Sequence, residues 1–579
     1  MGDIGAISQP CRRMPPITPQ ALPLGKANMF PSHDPHYLIS GDQSVSVSLP
    51  TWESVIGLSR KEDWVMEKLA CSYPRFYLNK EVRDLADAVL QRLQINDKNI
   101  TCMMFNSPKA GEECASLLQA DSVEKGLRLE VARFFIPAES NITKFSGVHW
   151  ANFSAVIFHN DLKKTAMGYW RDTGAGISTR HASFCLEEFD YLDSDSVNPA
   201  LRTPAPRKRN SHRGLPEYAT WMQNAPANQK RLQSFIAQLA TSEHPGQSAV
   251  TPEDVFLYPN GMNAIYSLSE SLASLQTDSQ VVAYGWLYPE TVEVLRRGAW
   301  KNILSFKDGT ETDLDQLENM LQFGQQIHAL FCELPSNIKL SSPNLRRIRA
   351  LADEYNFIVA CDDTVVGYVN IDALPYVDVM MSSLTKTFSG SSNVTGGSLV
   401  INPNSRHSVR IQAALSSNYG NNYFPLDLDT LLHNCQDIAW RVRKCNQNTL
   451  PLVDLFAKHP SIAQVNHPSI DPTAHLYKSL IRKDGGYGNV LSIIFHYPSS
   501  AEHFYNILGI CKGSSFGTNF TLAIPYVQLA NYWNRDKVPK YGVPQHIIRI
   551  SVGMEDILEL TQTISKALDE VMKLESKSA

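Results

Sequence analysis

Lys386 closes the segment Ser383-Leu384-Thr385-Lys386, which follows the apolar run VDVMMSS. A lysine delivered there is unusual, because lysines are rarely buried without a partner. Burial lowers the pKa of an ammonium group and makes the amine nucleophilic. Ser383 and Thr385 beside it are small hydroxyl residues suited to a phosphate, and Gly390, Gly396 and Gly397 follow to permit close backbone approach. The plain alternative is a helix start with an exposed lysine. Asp362 closes another apolar run, IVACDD. A carboxylate at a strand end can pair with a protonated ring nitrogen and keep that ring an electron sink. Otherwise it caps a turn. A third charge, Arg549, lies in HIIRISVG. A guanidinium is costly to bury unless it meets an anion, and its planar fork fits a carboxylate at two points. The alternative there is an internal ion pair with an acid such as Glu555.

These residues need a frame, and one is readable from Val255 onward. Short apolar runs (VFLYPNG, QVVAYG, HALFCELP, FIVACDD, DVMMSSLTK, GGSLVINP) alternate with helical stretches such as SPNLRRIRALADEYN. Near-continuous apolar strands separated by helices predict an α/β fold with a mainly parallel sheet sandwiched by helices. Ligands of such sheets bind at the carboxyl ends of the strands. Gly261, Tyr284, Asn337, Asp362 and Lys386 each lie at or just after a strand. Four regions are expected. Residues 1–95 form an N-terminal arm and a helix carrying Leu85, Val89 and Leu93. An inserted α+β region spans 96–250, a large domain 251–405, and a smaller α+β domain 406–579. The last ends in a helix with Ile557, Leu560, Ile564, Leu568 and Val571 on one face.

A net charge of -5 argues against a nucleic-acid binder. The Pro-flanked basic run Pro204 to Gly214 is expected to be a solvated loop rather than a nuclear signal or anion patch. Ten cysteines include no C-x-x-C pair, so reduced thiols are expected rather than a zinc ribbon. No apolar stretch reaches membrane-span length, the first residues lack a secretory apolar core, and the last lack the final Leu of a peroxisomal address. The expectation is a soluble cytoplasmic protein without nucleic-acid or membrane partners.

The blocks around these residues resemble the Cys/Met-metabolism family of pyridoxal 5'-phosphate (PLP) enzymes of fold-type I, which includes the cystathionine γ-synthases and γ-lyases. SLTKTFSGSSNVTGG is similar to the family block S-x-T-K-x-x-x-G-x-x-x-x-x-G-G, and Cys361-Asp362-Asp363-Thr364 to its V-D-N-T. Asn260-Gly261-Met262-Asn263-Ala264 resembles S-G-M-A-A, Tyr284-Gly285 its Y-G block, and Glu333 to Ile338 its E-x-P-x-N-P block. Arg549 to Glu555 resembles R-x-S-V-G-x-E, and Tyr73 to Asn79 resembles Y-S-R-x-x-N-P with one extra residue and no following Pro. The long insertion and the arm resemble the fungal cystathionine γ-synthases.

This resemblance implies a PLP-dependent transferase in which Lys386 carries the cofactor as a Schiff base and Asp362 holds the ring nitrogen. It further implies that Tyr284 stacks on the ring and Asn337 bonds the ring hydroxyl. Gly261, Met262, Ser383 and Thr385 would bind the phosphate. Tyr73 and Arg75 would reach the phosphate of a neighbouring subunit, in a homodimer or a homotetramer built as a dimer of dimers. Arg549 and Ser515 would hold the substrate carboxylate. The implied reaction is γ-replacement on an O-acyl-L-homoserine, with L-cysteine giving cystathionine on the route to methionine. A carbon or nitrogen nucleophile in specialised metabolism is the alternative, followed by a γ-lyase or sulfhydrylase. A non-catalytic binding subunit is a further reading, against which the retained Lys386, Asp362 and Arg549 argue. One departure bears on substrate choice: the family's S-L-G-G-x-E-S block has Phe520 in place of its Glu. A rim phenylalanine would either pack or admit a less polar nucleophile.

Overall fold

The computed structural model describes residues 17–28, 43–136, 148–207 and 216–578. Most of the basic run, residues 208–214, lies outside them, as does much of the arm. A seven-stranded sheet forms the centre. Its spatial order is Val255–Tyr258, Gly397–Ile401, Val379–Ser382, Ile358–Asp362, Ala329–Glu333, Gln280–Tyr284 and Asn302–Phe306. Gly397–Ile401 alone runs against the others. The carboxyl ends of the remaining strands therefore share one edge, and both Asp362 and the segment carrying Lys386 emerge there.

Alternation along each strand feeds two cores. Val282, Leu330, Val359 and Cys361 enter one apolar cluster, while Val281, Phe331, Ile358 and Ala360 enter the cluster on the opposite face. Burial on both faces is why these strands read as unbroken apolar runs.

A second sheet orders Ile462–Asn466, Val490–Phe495, Ile548–Ser551, Leu522–Pro525 and Cys511–Lys512, with only the last pair parallel. The final helix, Ile557–Ser578, packs Leu560, Ile564, Leu568 and Val571 against it. The arm docks here too. Ser48 bridges Gly513, and Val47 and Leu49 are buried with Leu491 and Ile550.

Between arm and large domain, Ile100–Phe105, Phe153–His159, Leu129–Phe135 and Asp193–Ser196 form a four-stranded antiparallel sheet. Two helices pack differently from their position in the sequence. Lys80–Arg92 gives Val82, Leu85 and Val89 to the core of this inserted sheet rather than to the arm. Pro216–Ala240 gives Leu232, Ile236 and Ala240 to the large domain rather than to the insertion. Nine cysteines lie among the described residues; no disulfide joins any two of them, and all but Cys511 are buried. No helix among the described residues is long and apolar enough to cross a membrane.

Candidate active site

Lys386 sits 7% exposed at the sheet's carboxyl edge, so its ammonium form has lost nearly all hydration. Burial, then the nearby Arg549 and Arg75 charges, hold the amine well below the usual lysine range. Its Nζ donates to the Tyr73 hydroxyl at 3.1 Å and to Ser515 Oγ at 3.0 Å. The rings of Tyr73 and Phe516 lie 4.2 and 5.0 Å from it. The lysine is thus biased toward its neutral amine and held by two hydroxyls, unlike an exposed lysine at a helix start.

Asp362 ends its strand in register with Glu333 on the neighbouring strand. Two buried carboxyls side by side resist double ionisation. Burial pushes Asp362 up, while its bonds from Thr364 oppose the shift; the Thr364 amide donates to Oδ1 at 2.9 Å. Glu333 is pushed up to about 8 by burial and by Asp362, against the bonds it accepts from the Asn337 and Tyr288 amides. Asp362 lines the cavity at the strand's end, where a ring cation would restore its ionised form.

The helix Gly261–Ser274 begins beside Ser383. Asn260 caps it, accepting from the Asn263 amide at 3.0 Å. A Cβ at Gly261 would stand 2.8 Å from Ser383 Cβ, so only glycine lets the helix N-terminus and this serine share one cradle. Free amides at a helix start suit an anion. Arg75 lines the same cavity; its Nε is buried without a hydrogen-bond acceptor among the described residues, and its Nη2 lies 3.2 Å from Glu290. Cradle, buried amine, strand-end carboxyl and underused guanidinium fit a phosphate-bearing aldehyde with a ring nitrogen.

Arg549 is buried over the rings of Phe516 and Tyr526 and donates to Asn337 Oδ1 at 3.1 Å and to the Ser515 carbonyl at 2.7 Å. No carboxylate among the described residues forms an ion pair with it. Glu555 instead accepts from the Thr521 hydroxyl at 2.8 Å and from the Thr521 amide. Tyr73, Arg75, Gly261, Met262, Asn337, Asp362, Ser383, Lys386, Ser515 and Arg549 all line this one cavity.

Four expectations are corrected. Tyr284 does not reach the cavity: strand alternation puts its ring in phase with Val282, inside the core, where its hydroxyl donates to the Thr310 carbonyl. Tyr288, four residues on at the start of the helix Pro289–Arg297, lines the cavity instead, with Arg75 4.9 Å from its ring. Thr385 also points away, exchanging hydrogen bonds with the backbone of Gly396. Phe520 is 3% exposed, its backbone lies against Gly553 and it does not line the cavity, so it stands away from the rim and takes the packing role of the two considered. Lastly, Tyr73 and Arg75 enter the site of their own chain, because the arm is pinned to its own small domain just before them. Glu333 and Glu290 are additions to the residues singled out from the sequence. An acid closing a strand next to Asp362 is the available sign for Glu333, whereas Glu290 gives none.

Residues 226–569 match the family of Cys/Met metabolism PLP-dependent enzymes, and residues 81–178 match the fungal trans-sulfuration enzyme N-terminal domain. The chain belongs to the Cys/Met metabolism PLP-dependent family. It is 42% identical over 552 residues to the cystathionine gamma-synthase-like protein ankD of Aspergillus thermomutatus, covering 95% of this chain and 94% of that one. With the cystathionine gamma-synthase of Neurospora crassa it shares 30% identity over 598 residues, 91% of this chain and 96% of the other. The fold is that of the cystathionine gamma lyase of Micromonospora echinospora, at TM-score 0.51 and 20% identity over 59% of this chain and 86% of that one. The cofactor of a Cys/Met metabolism PLP-dependent enzyme is PLP, a phosphate-bearing aldehyde with a ring nitrogen of the kind this cavity fits.

Proposed function

We propose that this PLP-dependent enzyme catalyses γ-replacement on an O-acyl-L-homoserine, with L-cysteine as nucleophile and cystathionine as product. The observation that carries this reading is Arg549: a buried guanidinium without an acid partner among the described residues, tied through Ser515 to the amine of Lys386. That pairing suits an α-amino acid whose carboxylate meets the fork while its α-carbon faces the lysine. Full-length similarity to proteins named cystathionine gamma-synthase or gamma-synthase-like supports the same choice.

When bound, PLP supplies the electron sink that makes hydrogens on the substrate's α- and β-carbons acidic. Lys386 at Nζ can accept the α-proton, pass it on, and then accept a β-proton, whose bonding pair expels the γ-acyloxy group as a carboxylate. Tyr73 and Ser515 hold that amine in place as hydrogen-bond acceptors. Asp362 keeps its carboxylate directed by the Thr364 amide, and a negative charge there holds a proton on a ring nitrogen. Gly261, Met262, Ser383 and Arg75 would hold the phosphate, and Tyr288 lines the cavity where a ring could stack. Asn337 orients Arg549.

A second reading keeps the γ-chemistry but changes the nucleophile. Ile524, paired with Arg549 across the sheet, lines the cavity together with Leu529 and Ala530, an apolar wall that suits a carbon nucleophile. One assay separates the two. The holoenzyme is given O-acetylhomoserine with cysteine, or with carbon and nitrogen nucleophiles, and the products are identified by mass spectrometry. Cystathionine as the dominant product supports the first reading; acetate release with cystathionine absent overturns it.

A further inference from the structure

The inserted domain meets the cofactor cradle directly. Its helix Lys163–Thr173 ends at Gly174, which takes φ 63°, and the last carbonyls of any helix lack partners within it. Here two of those carbonyl groups are satisfied from the large domain. Asn263 Nδ2 donates to the Thr173 carbonyl at 3.0 Å, and Asn260 Nδ2 donates to the Gly174 carbonyl at 2.8 Å. Asn260 also caps the helix Gly261–Ser274 through its Oδ1. One side chain therefore serves both helices, leaving the Gly261 and Met262 amides at the helix start for an anion.

The sequence makes the link pointed. The turn Asn260-Gly261-Met262-Asn263-Ala264 differs from the family pattern S-G-M-A-A at two positions, and these two asparagines are the ones that grip the insertion. Neighbouring contacts hold the same junction. Arg297 pairs with Asp172 at 2.8 Å, and Glu113 accepts from Tyr169 at 2.8 Å and from Tyr266 at 3.3 Å. Gly174 has no room for a side chain, since a Cβ would fall 2.1 Å from Asn260 Oδ1.

We propose that the inserted domain is a cofactor-retention clamp, in which Asn260 and Asn263 are positioning residues that tie its Thr173 and Gly174 carbonyls to the phosphate cradle. Asn263 does not line the cavity, so it acts through the turn and not by touching the cofactor. The inference rests on the reading that Gly261 and Ser383 bind the phosphate.

Three variants test it by PLP titration, followed by visible absorbance, and by melting with and without cofactor. Asn263→Ala removes one hydrogen bond. Asn263→Asp keeps the shape but sets a carboxylate against the Thr173 carbonyl. Ser383→Ala tests the cradle itself. One lost hydrogen bond corresponds to a factor of about 2 to 10. Asn263→Ala should therefore weaken PLP binding about fivefold, Asn263→Asp should weaken it more, and the cofactor-induced rise in melting temperature should shrink in both. A merely structural contact would lower both melting temperatures together and leave PLP affinity unchanged, and that result overturns the clamp. If Ser383→Ala alone weakens PLP binding, the cradle stands and the clamp falls. If none of the three does, the cradle assignment falls with it.

Discussion

Lys386 Nζ lies 3.1 Å from the Tyr73 hydroxyl across 313 residues of sequence, and both belong to one chain. Arg75 arrives with Tyr73 and pairs with the buried Glu290. A cavity that takes Tyr73 and Arg75 from its own chain changes what a mixing experiment should show. Arg75→Ala and Lys386→Ala should each be inactive, and a mixture of the two should stay inactive, because every site then carries one defect. Recovery of activity on mixing would instead show that two copies exchange their arms.

Asp362 is expected to set the rate and not the occupancy. Asp362→Asn keeps the side chain's size and can still accept from the Thr364 amide, but it cannot hold a ring nitrogen protonated. Bound cofactor should remain visible by absorbance while kcat falls at least about 100-fold, or about 2.7 kcal/mol of transition-state stabilisation. Near-normal turnover would move the role to a neighbour. Asp363 is a poor substitute: it is fully buried, lies outside the cavity lining, and is pushed up to about 8 by burial.

Arg549→Lys keeps the charge and loses the fork that meets Asn337 and the Ser515 carbonyl together. With O-acetylhomoserine, kcat/KM should drop roughly 100-fold, about 2.7 kcal/mol, with the cofactor's spectrum unchanged. Steady-state kinetics beside an absorbance scan decide it. Loss of cofactor or of folding, without a selective loss of substrate use, would remove Arg549 from the carboxylate site.

Glu333 predicts a pH dependence of stability in the cofactor-free protein. Its carboxyl is pushed up from 4.5 to about 8, chiefly by burial and then by Asp362. Between those values the folded chain keeps a proton that the unfolded chain releases. Stability from this group is therefore full below about pH 4.5 and lost as pH rises through about 8. Glu333→Gln should flatten the fall in melting temperature across that window, leaving the shares due to the other raised carboxyls, Asp362 and Asp363 among them. Thermal melts at a series of pH values give the comparison; an unchanged slope would mean that Glu333 is ionised throughout.

The parts of the molecule that can be read from residues alone are those where local pattern and burial agree. Strands such as Ile358–Asp362 are apolar at every inner position because helices cover both faces, so their ends are legible, and with them the positions of Asp362 and Lys386 at the sheet's edge. Tyr284 misleads because adjacency to a strand end says nothing of side-chain phase; only its alternation with Val282 excludes it from the cavity. Thr385 misleads for a similar reason, since the backbone of Gly396 claims its hydroxyl. The destination of Tyr73 depends on where the arm docks, a contact made some hundreds of residues away, which no local period encodes. The grip of Asn260 and Asn263 on the insertion is of the same kind: the asparagines are visible in the sequence, but their partner carbonyls are not.

The docking of the arm also has a consequence for synthesis on the ribosome. Ser46 donates to the Ser514 carbonyl across 468 residues, and Val47 and Leu49 bury themselves against strands translated near the end. At about 5–20 residues per second, the first segment emerges roughly 20 to 90 s before its seat exists. During that interval a short apolar strand with unpaired backbone groups is open to chaperones and to other nascent chains. The alternating serines of SVSVSLP, buried and bonded once folded, keep that waiting segment less adhesive than a run of valines and leucines.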